Sequence, residues 1–294
     1  MSDEQERITF AVIGGSQAHK LIRSGRFPGE RLERIETPFG SSGVIYLVKA
    51  NGASFYFLAR HGEKSYSIGA PFVNYRANIY ALKELEVKRI LAWSGPGALS
   101  RKYSPGEFVI VDDLLDETKN RETTFFRFGG LGFIRQNPVF CPTLRAVLKA
   151  VLEELDADFT WGGTYVASEG PRLETPAEVR KFASSGGDLV GMTLAPEVFL
   201  ARELEMCYAA LCYVTNFAEG IVEREFEEGI LFEGLATKEE QRRVTKAFER
   251  YPEIILKVAE RVAQAKNICH CQESMLRYKK QGIIGENWRE WLSP

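Results

Sequence analysis

A basic excess is missing from this chain. Lysine and arginine number 38 against 40 aspartates and glutamates, for a net charge of −2. A nucleic-acid footprint needs a basic patch or stripe, so no nucleic-acid partner is expected. Long apolar runs are missing too. No stretch reaches the roughly 18 residues of a membrane span, so no membrane partner is expected. The first residues, MSDEQERIT, are polar and lack the apolar core of a secretory signal. Cysteine is scarce. Cys141, Cys207, Cys212, Cys269 and Cys271 are the only five, and they are not spaced as a disulfide framework. A reduced, cytoplasmic setting is the expectation. In Cys269-His270-Cys271 the C-x-C spacing has no second ligand pair nearby, so no metal is expected. Phosphate-loop signatures are also absent. Gly14-Gly15-Ser16 is followed by no Gly-Lys-Ser/Thr and opens no Gly-x-Gly-x-x-Gly.

What is present is an ordinary globular composition, 45% hydrophobic and 27% charged over 294 residues. Apolar strand-like runs alternate with helical spacing. Runs begin at Ile8, Arg89, Phe108, Leu189 and Tyr208, and Val44–Val48 pairs with Ser54–Ala59 across the tight-turn dipeptide Asn51-Gly52. The spacing predicts helices over Asn74–Leu85, Thr143–Leu155, Thr175–Ala183 and Glu197–Leu204. Another runs over Thr237–Ala265, with a possible interruption at Pro252. Alternation of this kind implies one α/β domain, with a central mixed, largely parallel sheet flanked by helices. That domain spans residues 1–266. Residues 267–294 form a basic C-terminal extension carrying Trp288 and Trp291.

Polar residues gather where these strands end. Ser16 follows the first strand, Arg60-His61 follows the hairpin, and Ser94-Gly95 ends the third run. A guanidinium at a strand end suits bidentate capture of phosphate or carboxylate. Small residues let backbone N–H groups approach an anion. Taken singly, each is an ordinary turn; together they sit where open α/β sheets bind ligands. Two segments are denser still. Gly163–Glu178 reads GTYVASEGPRLETPAE, with Glu169, Arg172 and Glu174 on one loop. Asp188–Glu197 reads DLVGMTLAPE and places Met192-Thr193 at another strand end. A further strand delivers Asn216, followed by Phe217 and Ala218. Acceptors, donors and an apolar flank would converge there, as a polar heterocycle bearing a sugar requires.

Ordered motifs over Ile8–Ala265 carry a resemblance. They are IGGS at Ile13, TPFG at Thr37, ARHG at Ala59, VNYRANIYALK at Val73, SGPGAL at Ser94 and SPGEFVIVDD at Ser104. FCPTLR at Phe140, EGPRLET at Glu169, GMTLAPE at Gly191 and VTNF at Val214 complete them. The chain resembles the trimeric purine nucleoside phosphorylase and methylthioadenosine phosphorylase family. The resemblance implies phosphorolysis of a purine nucleoside by inorganic phosphate, giving free base and pentose 1-phosphate, with no metal and no organic cofactor. It implies phosphate binding by Ser16, Arg60, His61, Ser94, Gly95 and Thr193. Met192 would pack on the sugar, and Glu174 and Asn216 would carry catalysis at the base beside Phe217 and Ala218. It also implies a homotrimer acting in purine salvage. The aromatic stretch Thr123–Phe128 and Phe133 is a candidate interface.

Base preference follows from two positions. Methylthioadenosine phosphorylases typically carry a pair of aspartates where this chain has Asn216 and Ala218, and Glu174 falls where 6-oxopurine enzymes hold their base-binding glutamate. The resemblance therefore implies guanosine or inosine, with methylthioadenosine or methylthioinosine as the alternative. A catalytically inactive purine-binding protein and a hydrolase using water are further readings. Two departures stand out. A histidine common a few residues after ARH is replaced by Lys64-Ser65-Tyr66, and Ser94-Gly95 stands where methylthioadenosine phosphorylases typically have Thr-Ala.

Overall fold

The computed structural model describes residues 8–127, 129–224 and 237–292. Its strands are β1 Phe10–Gly14, β2 Gly29–Arg31, β3 Glu36–Thr37, β4 Gly40–Ser41, β5 Ile45–Ala50, β6 Ala53–Ala59 and β7 Arg89–Ser94. There follow β8 Gly97–Ala98, β9 Phe108–Ile110, β10 Asp113–Glu117, β11 Phe159–Trp161, β12 Thr164–Ser168, β13 Leu189–Gly191, β14 Cys207–Tyr213 and β15 Asn216–Phe217. The α-helices are α1 Ala18–Arg23, α2 Tyr75–Glu84, α3 Pro142–Glu154, α4 Pro176–Ser184, α5 Leu194–Glu203, α6 Lys238–Gln264 and α7 Leu276–Lys280.

The larger sheet runs β11-β9-β14-β7-β1-β6-β5-β2. Its centre, β14-β7-β1-β6, is wholly parallel, and the edges add antiparallel pairs. The sheet is therefore mixed and largely parallel, as the alternation implies. Both faces of its centre are buried, which explains strands without polar alternation. Ala11 and Ile13 of β1 enter one apolar cluster, and Phe10 and Val12 enter the other. In β7, Ile90 and Ala92 divide from Leu91 and Trp93 in the same way.

Local chemistry sets the element ends. Asn51 (φ 51°) and Gly52 (φ 79°) make the β5–β6 turn, and positive φ at both positions is what a two-residue hairpin of matching twist requires. Asn74 caps α2 by accepting from Ala77 N–H, and Thr175 and Glu178 form a capping box on α4 with Pro176 at its first position.

Three expectations need correction. The run at Phe108 is not one strand. It divides at Val111-Asp112 into β9 of the large sheet and β10 of a second, five-stranded sheet ordered β10-β12-β13-β8-β15. Helix α6 passes through Pro252 without interruption. Its buried stripe of Tyr251, Ile254, Ile255, Val258 and Val262 packs on the core, and that burial outweighs one lost backbone hydrogen bond. Helix α5 begins at Leu194, before the expected Glu197, across a non-helical Ala195.

The extension packs on its own domain. Met275, Tyr278 and Trp291 join one core cluster and Cys271 the other. Trp288 meets Tyr80 edge to face at 5.0 Å. Phe125 and Phe126 are likewise buried in this chain's own core, Phe125 against Phe39 at 5.1 Å, whereas Phe128 lies outside the described residues.

Candidate active site

Because β14, β7, β1 and β6 are parallel neighbours, their carboxyl ends share one edge. Ile13 pairs with Ala92, Gly14 with Ala59, and Cys212 with Ser94. The residues just beyond, Ser16, Arg60-His61 and Ser94-Gly95, therefore line up along that edge at strand spacing of about 4.8 Å. Arg60 N–H donates to Gly14 O, which ties the two adjacent ends together. Glycine is needed twice here. A Cβ on Gly15 would lie 2.7 Å from the Trp93 indole, and one on Gly95 would lie 2.8 Å from Thr215 Cγ2.

Arg60 and Glu197 form a pair whose side chains are both fully buried. Arg60 Nε donates to Glu197 Oε1 at 2.5 Å, and Nη2 donates to Oε2 at 2.9 Å. Tyr208 O–H donates to the same carboxylate at 2.7 Å. Burial works against the guanidinium's charge, and the Glu197 carboxylate more than offsets it, so Arg60 stays charged. Its remaining nitrogen, Nη1, is buried without a hydrogen-bond partner among the described residues.

Thr193 follows β13, and its Oγ1 is also buried without a hydrogen-bond partner among the described residues. Its backbone N–H donates to Tyr165 O–H at 3.3 Å, and that hydroxyl lies 3.0 Å from Ser94 Oγ. Burial pushes the Tyr165 phenol up to about 12, so it keeps its proton. Tyr165 thus ties Ser94, on the large sheet, to Thr193, on the small one. A Cβ on Gly191 would lie 2.1 Å from the same hydroxyl, so only glycine admits it.

His61 is buried. Its Nδ1 lies 2.8 Å from Ile68 O, and its ring stacks on Tyr66 at 4.3 Å. Burial, with the Arg60 charge beside it, pushes the imidazole down to about 3. The neutral ring then donates from Nδ1 to Ile68 O and presents Nε2 as an acceptor. Tyr66, one of the three residues in place of the expected second histidine, covers its face.

The residues expected at the base lie on or just beyond strands of the second sheet. Glu174 Oε1 accepts from Ser168 Oγ, and Ser168 Oγ also approaches Gly191 O at 3.4 Å, just before Met192. Met192 lies against the opposite loop, since a Cβ on Gly170 would sit 2.5 Å from its sulfur. Asn216 belongs to β15, not to the strand before it, and pairs with Gly97. Its Oδ1 accepts from Thr215 Oγ1 and its Nδ2 donates to Phe217 O, leaving one amide hydrogen on Nδ2. Ala218 N–H donates to Ala98 O. A cleft of about 120 Å³ opens at Glu174, with Lys119, Ser168, Glu169, Gly170 and Phe182 among its walls. Its lining reaches none of Ser16, Arg60, His61, Ser94 or Thr193. Arg172 also lines this cleft, but it is exposed and makes its two-pronged pair with Glu178 rather than with Glu174.

Two residues of this region carry no readable signal in the sequence. Arg121 donates to the carbonyls of Met192, Ala195, Ser168 and Glu169, holding the segments that follow β12 and β13 with one buried guanidinium. In sequence it sits in Lys119-Asn-Arg-Glu, which reads as a solvated charge run. Glu197 is similarly hidden among helical residues.

Similarity to known proteins fits this geometry. Residues 9–251 match the phosphorylase superfamily. The chain is 38% identical over 285 residues to a probable 6-oxopurine nucleoside phosphorylase of Thermococcus kodakarensis, covering 94% of this chain and 98% of that one. It is 42% identical over 210 residues to a probable S-methyl-5'-thioinosine phosphorylase of Methanothermobacter thermautotrophicus, covering 71% of this chain and 72% of that one. A methylthioadenosine phosphorylase from an antarctic soil metagenomic library superposes with a TM-score of 0.81 at 29% identity over 98% of both chains. With a match over most of its length and a relative aligned nearly end to end, this protein belongs to the phosphorylase superfamily.

Proposed function

We propose that this protein is a pentosyltransferase that cleaves 6-oxopurine nucleosides, guanosine or inosine, with inorganic phosphate. The observation that carries this reading is that Arg60 Nη1 and Thr193 Oγ1, each just beyond a strand end, are among the buried groups without a hydrogen-bond partner in the described residues. A buried donor left unsatisfied costs about 1–3 kcal/mol, and more when charged, so such groups mark a place built for a polar ligand. A tetrahedral dianion satisfies both. If Tyr165 donates to Ser94 Oγ, the serine keeps its own proton for the same anion. Neutral His61 accepts a proton-bearing phosphate oxygen at Nε2, which an imidazolium could not do.

In the reaction, the N9–C1' bond of the nucleoside breaks as a phosphate oxygen bonds to C1'. The bonding electrons leave with the purine, which takes up one proton, while the attacking hydrogen phosphate gives one up, so the products are the neutral base and the pentose 1-phosphate dianion. Charge develops on the purine in the transition state, so donors aimed at the base contribute most. The free Asn216 amide hydrogen serves ring nitrogen 7, and Glu174 accepts from N1–H and a 2-amino group. Met192 packs on the sugar, with Phe217 and Ala218 beside the base. No step requires a metal or an organic cofactor.

The 38% relative supports the 6-oxopurine reading. A 5'-methylthio sugar is the second reading, favoured by the 42% relative. The segment that would enclose the 5' group includes residues 225–236, outside the described residues. We place the protein in the cytoplasm, in purine salvage, as a homotrimer. Phe72 and Phe133, 76% and 80% exposed, are among the large apolar groups available for subunit contact. One panel tests all of this: inosine, guanosine, adenosine, methylthioinosine and methylthioadenosine, each with and without phosphate, and light scattering for mass. Turnover without phosphate would replace the reading with hydrolysis, and purine binding without turnover with an inactive binder.

A further inference from the structure

Four cysteines from three distant parts of the chain converge. The Sγ atoms of Cys141, Cys207, Cys269 and Cys271 all lie within 4.8 Å of one another. Cys207 and Cys269 approach to 3.5 Å. Three are buried and Cys269 is half-buried. A tetrahedral zinc tetrathiolate, with Zn–S near 2.3 Å, needs sulfurs about 3.8 Å apart. The observed spacing brackets that value. Cys141 is the N-cap residue of α3, Cys207 opens β14, and the other two belong to the extension. Within the sequence the C-x-C pair has no partner pair; the fold supplies one from 62 or more residues away.

We propose that these four thiolates form a closed structural zinc site. The surroundings suit its charge. Four thiolates around Zn²⁺ carry two net negative charges. The buried Arg202 points Nη1 at Cys271 Sγ at 3.7 Å, and Cys141 stands at the positive end of the α3 dipole. The second pair of ligands is held in place independently. Arg89 Nη2 donates to Asn267 Oδ1 at 2.6 Å, Ile268 N–H donates to Thr143 Oγ1 at 3.0 Å, and Ser274 Oγ donates to Arg202 O at 2.6 Å. No ligand position remains open, so the ion would not do chemistry. It would clip the extension to α3 and β14, releasing the four thiol protons as it binds. His270 takes no part; it is exposed and pairs with Glu273.

The test uses the full chain, purified without a histidine tag after growth in zinc-replete medium. We expect about one zinc per chain after dialysis against a mild chelator. On denaturation without reductant, all five cysteines should titrate as thiols. Replacing zinc with cobalt should give the thiolate-to-metal charge-transfer band and the intense visible bands of a tetrahedral site. A Cys269→Ser, Cys271→Ser double variant should lose both the metal and the cobalt spectrum, with a lower thermal midpoint and phosphorolysis retained below it. Metal-free protein with five free thiols would overturn the proposal. So would protein in which the same sulfurs are consumed in disulfides. Should the double variant fail to fold, the cobalt spectrum of the wild-type protein decides alone.

Discussion

Arg60 and Glu197, 137 residues apart in sequence, meet as a fully buried two-pronged ion pair that leaves one guanidinium nitrogen unused. The pair is an orienting device. Glu197 neutralises the arginine and fixes its plane, and Nη1 is what remains for a ligand.

Removing Glu197 should therefore damage folding and function together. Glu197→Ala leaves a buried positive charge unpaired and should destabilise the protein by about 3–5 kcal/mol. Arg60→Lys keeps a charge but loses the planar fork. It should cut kcat/KM for phosphate by on the order of 100-fold. Urea titration and initial rates read the two effects, and an unfolding free energy within about 1 kcal/mol of wild type for Glu197→Ala would contradict the pairing.

Thr193 is testable without disturbing the fold. Thr193→Val removes only the unpartnered hydroxyl and should raise the KM for phosphate roughly 10- to 100-fold, the worth of one hydrogen bond to a charged group. Thr193→Ser should retain most of the affinity. Equal loss in both variants would mean that packing, not the hydroxyl, matters there.

The pH dependence of stability should show two opposed contributions. His61 titrates near 3 in the folded state against 6.5 as the ordinary value. Between those limits the unfolded chain binds the extra proton, so His61 stabilises above about pH 6.5 and loses that contribution as pH falls toward 3. Burial pushes the Glu203 carboxyl up to about 7 from 4.5, although it accepts from Phe125 N–H and Thr124 Oγ1. Here the folded chain holds the extra proton, so its contribution is fully present below pH 4.5 and fades as pH rises through 7. Each slope is at most about 1.4 kcal/mol per pH unit. Urea midpoints across pH 4 to 8 for His61→Gln should lose the first slope, and those for Glu203→Gln the second. Unchanged profiles in both variants would refute the assignment.

Base preference should move with one residue. Asn216→Asp can protonate to serve ring nitrogen 7 and accept from a 6-amino group, so the ratio of adenosine to inosine turnover should rise at least 10-fold, about 1.4 kcal/mol. Glu174→Ala should depress guanosine more than adenosine. A ratio that stays put in both variants would remove these residues from the base pocket.

Periodicity and turn chemistry made most of the framework readable. Asn51-Gly52, Thr175-Pro176 and the apolar runs at Ile8, Arg89 and Tyr208 act through neighbours in sequence, and each forms its element. The strand-end positions of Ser16, Arg60 and Ser94 were readable too, because parallel strands must bring their carboxyl ends to one edge, whereas Thr193 ends a strand of the other sheet. Tertiary structure alone decided which partners those groups meet. Glu197 under Arg60, Tyr165 between Ser94 and Thr193, Arg121 across two loops and Cys141 beside Cys271 are pairings between remote segments. Their energies arise from burial and long-range contact, which no local pattern encodes. The same holds for Pro252, where packing on the sheet outweighs a residue that by itself favours a break.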